Sequence, residues 1–393
     1  NLDNEDLLFF ERNPDYIVDA SDNGDFQFNF LSNGFYKIIS VDKTISGLPI
    51  VEHKMIYGLS NENLININTQ DTLKHIKIKI PESIGSIKMN KAEYIIGGWG
   101  KLMFSEEVNN WEDNLSIDFY DDSLLLKPKI FRDPLNDFTL NFNLDINKKS
   151  YVDIQTYQSK DQNLIKVDSS RIRLEIKNEK DSSNIKIISP NLGFVQNIEE
   201  DSIQALKIIF SNLIHKNIKK NSLLLKRDSI NIPIKVEWDS YLSVNVTPQI
   251  NWEESTQYKL LINKNFIEPI YTKSLEDSIL TISFKTSKFR KFGNFLGNFD
   301  EVLDSMMIVE LSSLENISEK LQTNVKLDGS FKILKIPEGN YSLQIYVDMD
   351  KNHKYSYGSL KPYRPAEWFN IYPDTIKVRG NWDLEMKNIK VGY

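Results

Sequence analysis

Apolar and polar residues alternate with a period of two through most of this chain. Residues 76–80 (IKIKI), 115–119 (LSIDF), 138–144 (FTLNFNL) and 172–176 (IRLEI) follow it, as do 243–246 (SVNV), 281–284 (TISF) and 343–347 (LQIYV). On a strand, such alternation sends every apolar side chain to one face, so each run predicts a half-buried β-strand. Asn, Asp, Ser and Gly gather between the runs, and many short strands punctuated this way predict an all-β fold of antiparallel sandwiches. Helical spacing is scarce. Residues 203–207 could make one turn before 206–210 (LKIIF) reverts to strand character, and 298–306 (NFDEVLDSM) reads as a short helix or helical loop.

A short block of this pattern occurs twice. The first copy runs Asp22-Asn23-Gly24-Asp25-Phe26-Gln27-Phe28 to Leu31, then Gly34-Phe35-Tyr36-Lys37-Ile38. The second runs Leu327-Asp328-Gly329-Ser330-Phe331-Lys332-Ile333 to Ile336, then Gly339-Asn340-Tyr341-Ser342-Leu343. With Gly24 set on Gly329, the residues Phe26, Phe28, Leu31, Gly34, Tyr36 and Ile38 fall on Phe331, Ile333, Ile336, Gly339, Tyr341 and Leu343 without a gap. An Asx-Gly turn, an alternating strand, a second Gly turn and another strand predict a β-hairpin with one buried face, in which Phe26 and Phe331 are both core. Two related β-domains then flank something else.

Composition narrows the function more than it defines it. At 393 residues with 40% hydrophobic and 11% aromatic residues, the chain can fill several packed cores. Lys and Arg number 48 against 55 Asp and Glu, a net charge of -7 with the signs interspersed, which argues against nucleic acid. There is no cysteine, so thiolate chemistry, disulfides and Cys-ligated metals are excluded. No apolar run reaches the roughly 18 residues of a transmembrane helix. The sequence opens at Asn1 and residues 7–10 (LLFF) already read as a strand, so the start is expected to lie inside a domain. Boundaries are placed near Pro81-Glu82, Val167-Asp168 and Ser287-Lys288, giving parts 1–82, 83–167, 168–287 and 288–393.

Two stretches resemble known domains. Phe210-Ser211, Val246-Thr247-Pro248 and Thr256-Gln257-Tyr258-Lys259-Leu260-Leu261-Ile262 match strands of the bacterial Ig-like domain first noted in surface-layer proteins. Gly339-Asn340-Tyr341, Asp348 to Asn352, Tyr363 to Glu367 and Tyr372 to Glu385 resemble the end of a family of exported Bacteroidota lipoproteins. That family pairs Ig-like sandwiches with prealbumin-like (CNA-B or carboxypeptidase-regulatory-like) ones. The resemblance covers most of residues 170–393, extends to the repeat at 10–42, and is weakest over 83–165. It implies prealbumin-like sandwiches at 1–82 and 288–393, an Ig-like one at 168–287 and a divergent β-domain at 83–167. It also implies export and a lipidated N-terminal Cys; with no Cys in this sequence, the anchor is expected in a missing N-terminal part.

Candidate chemistry is sparse. Asp348, Asp350 and Asn352 place three oxygen side chains at alternate positions, the opening of a calcium loop. His353 stands where that loop needs Gly and Ser359 where it needs Glu, so a solvated polar loop is the competing reading. His53, His75, His215 and His353 have no chelating spacing, there is no G-x-S-x-G, and Gly97-Gly98-Trp99-Gly100 lacks the continuation of a phosphate loop. That glycine run reads instead as a tight turn or bulge around a packed Trp. The adjacent pairs Glu106-Glu107, Asp121-Asp122 and Glu199-Glu200 would point to opposite faces of a strand, the geometry of a solvated surface. Tyr355, Tyr357, Tyr363 and Trp368 lie among Gly358, Pro362 and Pro365, which predicts an exposed loop whose rings bind a partner.

The expectation is therefore a non-catalytic, outer-membrane-associated scaffold lipoprotein, without cofactor apart from an open question of calcium. Its expected partner is an outer-membrane β-barrel protein or complex, at the cell surface or the periplasmic face. A cell-surface glycan-binding module is the first alternative, and an enzyme whose site is not legible in the sequence the second.

Overall fold

The computed structural model describes residues 12–51, 55–68, 75–82, 87–95, 98–108, 111–144, 150–160, 165–176, 181–217, 222–316, 319–360 and 362–391. They form two compact units, one of residues 1–85 with 291–393 and one of residues 86–290. The class is all-β: nearly every regular element is a strand, and among the described residues the single α-helical element is the turn Trp111–Asn114. Among the described residues no helix is long and apolar enough to cross a membrane.

In the first unit, one sheet sets Phe292–Phe299 between Ser330–Pro337 and Asp383–Ile389. The facing sheet orders Lys320–Asn324, Met307–Ser313, Gly339–Val347 and Phe369–Ile371, with Ile376–Val378 also on Gly339–Val347. Period-two alternation sends Phe295, Phe331, Ile333, Tyr341, Leu343 and Ile345 into one shared core. The described residues of 39–68 and 75–80 belong to the same unit, and some of them cover the outer face of the facing sheet: Lys79 Nζ donates to Gln344 Oε1, Ala366 N donates to Ser60 O at 3.1 Å, and Leu59 packs with Leu360 and Ala366.

The second unit holds two sandwiches. Residues 87–176 give Met89–Ile95, Trp99–Phe104, Thr139–Asn143 and Lys129–Arg132 in one sheet, and Ile165–Ile176, Ser150–Lys160, Leu115–Asp121 and Leu124–Leu126 in the other. Residues 181–290 form the Ig-like sandwich, whose core stacks Tyr258 on Phe284 at 5.9 Å and sets Trp252 edge-on to Tyr258 at 4.9 Å. Trp99, 2% exposed, joins the two sandwiches by donating from Nε1 to Asn212 Oδ1 at 2.9 Å. Gly98 takes φ +88 there, and a Cβ would stand 2.7 Å from the Tyr271 ring, which is the tight turn around a packed Trp that the glycine run predicts.

Several expectations are corrected. The repeat is not a hairpin in either copy. Ser330–Pro337 pairs with Phe292–Phe299 while Gly339–Val347 pairs with Met307–Ser313, so the chain crosses from sheet to sheet between them. In the first copy Gly34–Tyr36 pairs with Ile65–Ile67, residues 24–31 carry no strand, and Phe26 is half-buried where Phe331 is 3% exposed. Residues 298–306 hold no helix; strand Phe292–Phe299 runs into a loop. Residues 76–80 make a lone bridge, Ser60 to Ile78. Strands Ile165–Ile176 and Ile279–Phe289 pass through the boundaries set at Val167-Asp168 and Ser287-Lys288, because an apolar period inside a strand looks the same on both sides of a guessed border. Residues 7–10, His53 and Gly97 lie outside the described residues.

Candidate functional site

The acidic loop follows strand Gly339–Val347. Asp348, though only 4% exposed, is held by backbone donors: Asn352 N reaches Oδ1 at 3.0 Å and His353 N reaches Oδ2 at 3.1 Å. Asp350 accepts from Asn352 Nδ2 at 2.8 Å and from Ser356 Oγ at 2.5 Å. Asn352 does not converge as a third oxygen ligand, since its Oδ1 accepts from Lys354 N at 2.6 Å. The third member is Glu367, 5% exposed, whose Oε1 accepts from Met349 N at 2.6 Å and Oε2 from Ser356 N at 2.9 Å. Side-chain oxygens of Asp348, Asp350 and Glu367 lie within 4.8 Å of one another. Burial pushes the Glu367 carboxyl above its usual range despite those backbone donors. Such a set can either hold a hard cation or tie the loop closed, and the hydrogen bonds on the carboxylates already perform the second task.

The four rings expected on an exposed loop are half-buried instead. Tyr355 packs edge-on to Tyr346, Tyr357 and Phe369 with centroids 6.1, 4.9 and 5.3 Å away. Tyr363 takes the Lys37 ammonium 3.5 Å above its ring, and Trp368 lies against the sandwich core. The cover of the three tyrosines includes Lys37, Leu59 and Lys79, a non-local contact that the Gly and Pro spacing does not announce. Lys79 belongs to this layer: its Nζ donates to Gln344 Oε1 at 2.5 Å and stands 5.0 Å from the Tyr355 centroid. Burial lowers the Lys79 ammonium and raises the Tyr355 and Tyr346 hydroxyls.

A cleft of about 580 Å³ opens in the second unit, where Ile130 to Pro134 meets Ser240 and Tyr241. Phe131 and Tyr241 face each other at 5.4 Å, tilted 52°. Sequence reading missed this site, because its residues come from five separate stretches that no spacing connects.

Among the described residues no histidine joins the cluster of side chains able to hold a metal, and His353 gives its backbone N–H to Asp348. No family model matches the sequence, and no curated protein does. Among solved structures, similar chains include the N-terminal part of the bacterial S-layer protein SbsC, at 10% identity over 52% of this chain and 44% of that one, TM-score 0.21. Others are BcpA, the major pilin subunit of Bacillus cereus, at 11% identity over 77% and 97%, TM-score 0.19, and a three-Ig-domain segment of titin at 9% over 75% and 94%, TM-score 0.18. The class is that of all-β proteins built from several antiparallel sandwiches, as the sheets themselves show. No family within that class is named by these matches.

Proposed function

We propose that the chain is a non-catalytic interaction module of an exported, outer-membrane-associated scaffold, and that it docks through the first repeat copy. The observation that carries this reading is one block in two environments. At 331–343 the apolar positions are sealed in a core; at 26–38 they are at best half-covered, and their neighbours Phe30 and Phe35 are 100% and 63% exposed. Rings left open on a β-domain surface are the chemistry of a docking surface. Function then resides in what that surface holds, with the sandwiches as a rigid mount.

The test is co-purification from native membranes with Phe30→Ser and Phe35→Ser together. Both rings are exposed, so thermal unfolding should stay unchanged while a β-barrel or other membrane partner is lost. Retention of every partner by the double variant defeats the docking surface.

A further inference from the structure

The cleft in the second unit goes beyond that reading and rests on none of it. Its aromatic wall is anchored. Trp111 packs on the core of the 87–176 sandwich while its other side lines the cleft, and Phe131 with Tyr241 continues the apolar surface. Between the rings stand hydrogen-bonding groups whose charges are already balanced: Arg132 with Asp137 at 3.0 Å, Lys207 with Asp239 at 2.8 Å. Burial alone would raise the Asp239 carboxyl, but hydrogen bonds from Lys207 and Ser243 outweigh it and hold that group ionised below its usual range.

Three charges remain over. Lys216 in the lining and Lys129 beside it hold their ammonium groups 4.7 and 5.5 Å from the Tyr241 centroid, Glu112 lines the cleft as well, and none of the three is in an ion pair among the described residues, which leaves the ammonium groups in excess by one. In a chain of net charge -7, unpaired lysines beside an aromatic cleft select for an anionic ligand. Rings ask for flat C–H faces, balanced carboxylate–guanidinium and carboxylate–ammonium pairs ask for hydroxyls, and the free ammonium groups ask for a carboxylate. The geometry points to an acidic oligosaccharide, a chain of uronate-bearing sugars, as the ligand of this cleft. Its volume of about 580 Å³ lies within the roughly 300–1,000 Å³ of ordinary ligand sites.

The experiment titrates the full chain with oligogalacturonate, with alginate oligomers, with cello-oligosaccharide and with polyglutamate, by calorimetry and tryptophan fluorescence. One of the two uronates should bind, more tightly than cello-oligosaccharide and more weakly as salt is added. Trp111→Ala should weaken it about tenfold or more through the lost ring contact, and Lys129→Gln with Lys216→Gln should remove the preference over the neutral chain. Arg132→Ala with Asp137→Ala alters groups that are about half exposed, 49% and 58%, and so tests the hydroxyl contacts without risk to the fold. No uronate binding, an equal affinity for cello-oligosaccharide, insensitivity to these variants, or polyglutamate binding that survives Trp111→Ala would each overturn the assignment.

Discussion

Tyr36 and Tyr341 make the same hydrogen bond at positions 305 residues apart: each hydroxyl donates to the carbonyl four residues upstream, Ser32 at 2.6 Å and Pro337 at 2.8 Å. The turns match too. Gly24 and Gly329 take φ +84 and +81, and their amides reach Ser21 O and Lys326 O at 2.9 Å each. Even the left-handed residue recurs, at Phe30 (φ 60) and Lys335 (φ 52). Backbone conformation is thus conserved between the copies where strand pairing is not, because turns are set by local sequence and pairing by what lies across the sheet.

That contrast sets the first prediction. Phe331 is walled by Phe295 and Phe299 at 5.1 and 5.3 Å, so Phe331→Ala should cost about 3–5 kcal/mol. Phe26 meets Phe28 at 6.3 Å on a half-open surface, and Phe26→Ala should cost well under half as much, since partial burial forfeits most of the transfer gain. Denaturant melts of the two variants decide it; equal losses would mean that the first copy is packed like the second.

Much of the fold was legible because period two survives wherever one face is buried, as in Gln257–Asn263 and Ile279–Phe289. The site was less so. Asp348 and Asp350 are visible as a spacing, but Glu367 joins them only through the register of Gly339–Val347 on Phe369–Ile371. Tyr355 and Tyr363 read as exposed because Gly358, Pro362 and Pro365 do break regular strands, yet Leu59 and its neighbours then cover them. Local chemistry predicts where a strand stops, and only the tertiary fold decides what packs over the stop.

The joint within the second unit gives another test. Asn212→Ala removes the acceptor of a buried indole N–H, leaving Trp99 Nε1 unpaired. The expected loss is about 1–3 kcal/mol, the cost of an orphaned buried donor. Trp99→Phe with Asn212→Ala should lose less than the two single changes summed, since neither partner is then left behind. Calorimetry of the three variants measures the difference, and strict additivity would show that the bond holds nothing.

For the acidic loop, chelation should leave the melting temperature where it was. Each of the Asp348, Asp350 and Glu367 side chains already receives its hydrogen bonds from the loop itself. A ligand specific to the folded state would raise the melting point by mass action. A rise of several degrees with added calcium, abolished in Asp350→Ala, would establish a cation site instead.

The last prediction concerns alkaline pH. Burial, with smaller contributions from Tyr357 and Glu367, raises the Tyr355 hydroxyl above its ordinary value of 10.0, and that hydroxyl has no hydrogen-bond partner. Burial also raises Tyr346. A folded-state pKa above the unfolded one means the folded chain keeps a proton that the unfolded chain releases. The stability tied to it is complete below pH 10 and drains away as the pH climbs past that point. Lys79 works in the opposite sense, because its lowered pKa relieves the penalty of a buried charge as pH rises toward 10.5. Tyr355→Phe separates the two: it keeps the ring against Tyr346 and Phe369, deletes the unpaired hydroxyl and leaves Lys79 in place. Its melting temperature at neutral pH should equal or exceed that of the unaltered protein, since an orphaned buried hydroxyl is a cost removed. Above pH 10 its stability should fall less steeply. A variant that melts lower at neutral pH, or tracks the unaltered protein through the alkaline range, would show that this hydroxyl is hydrated rather than buried.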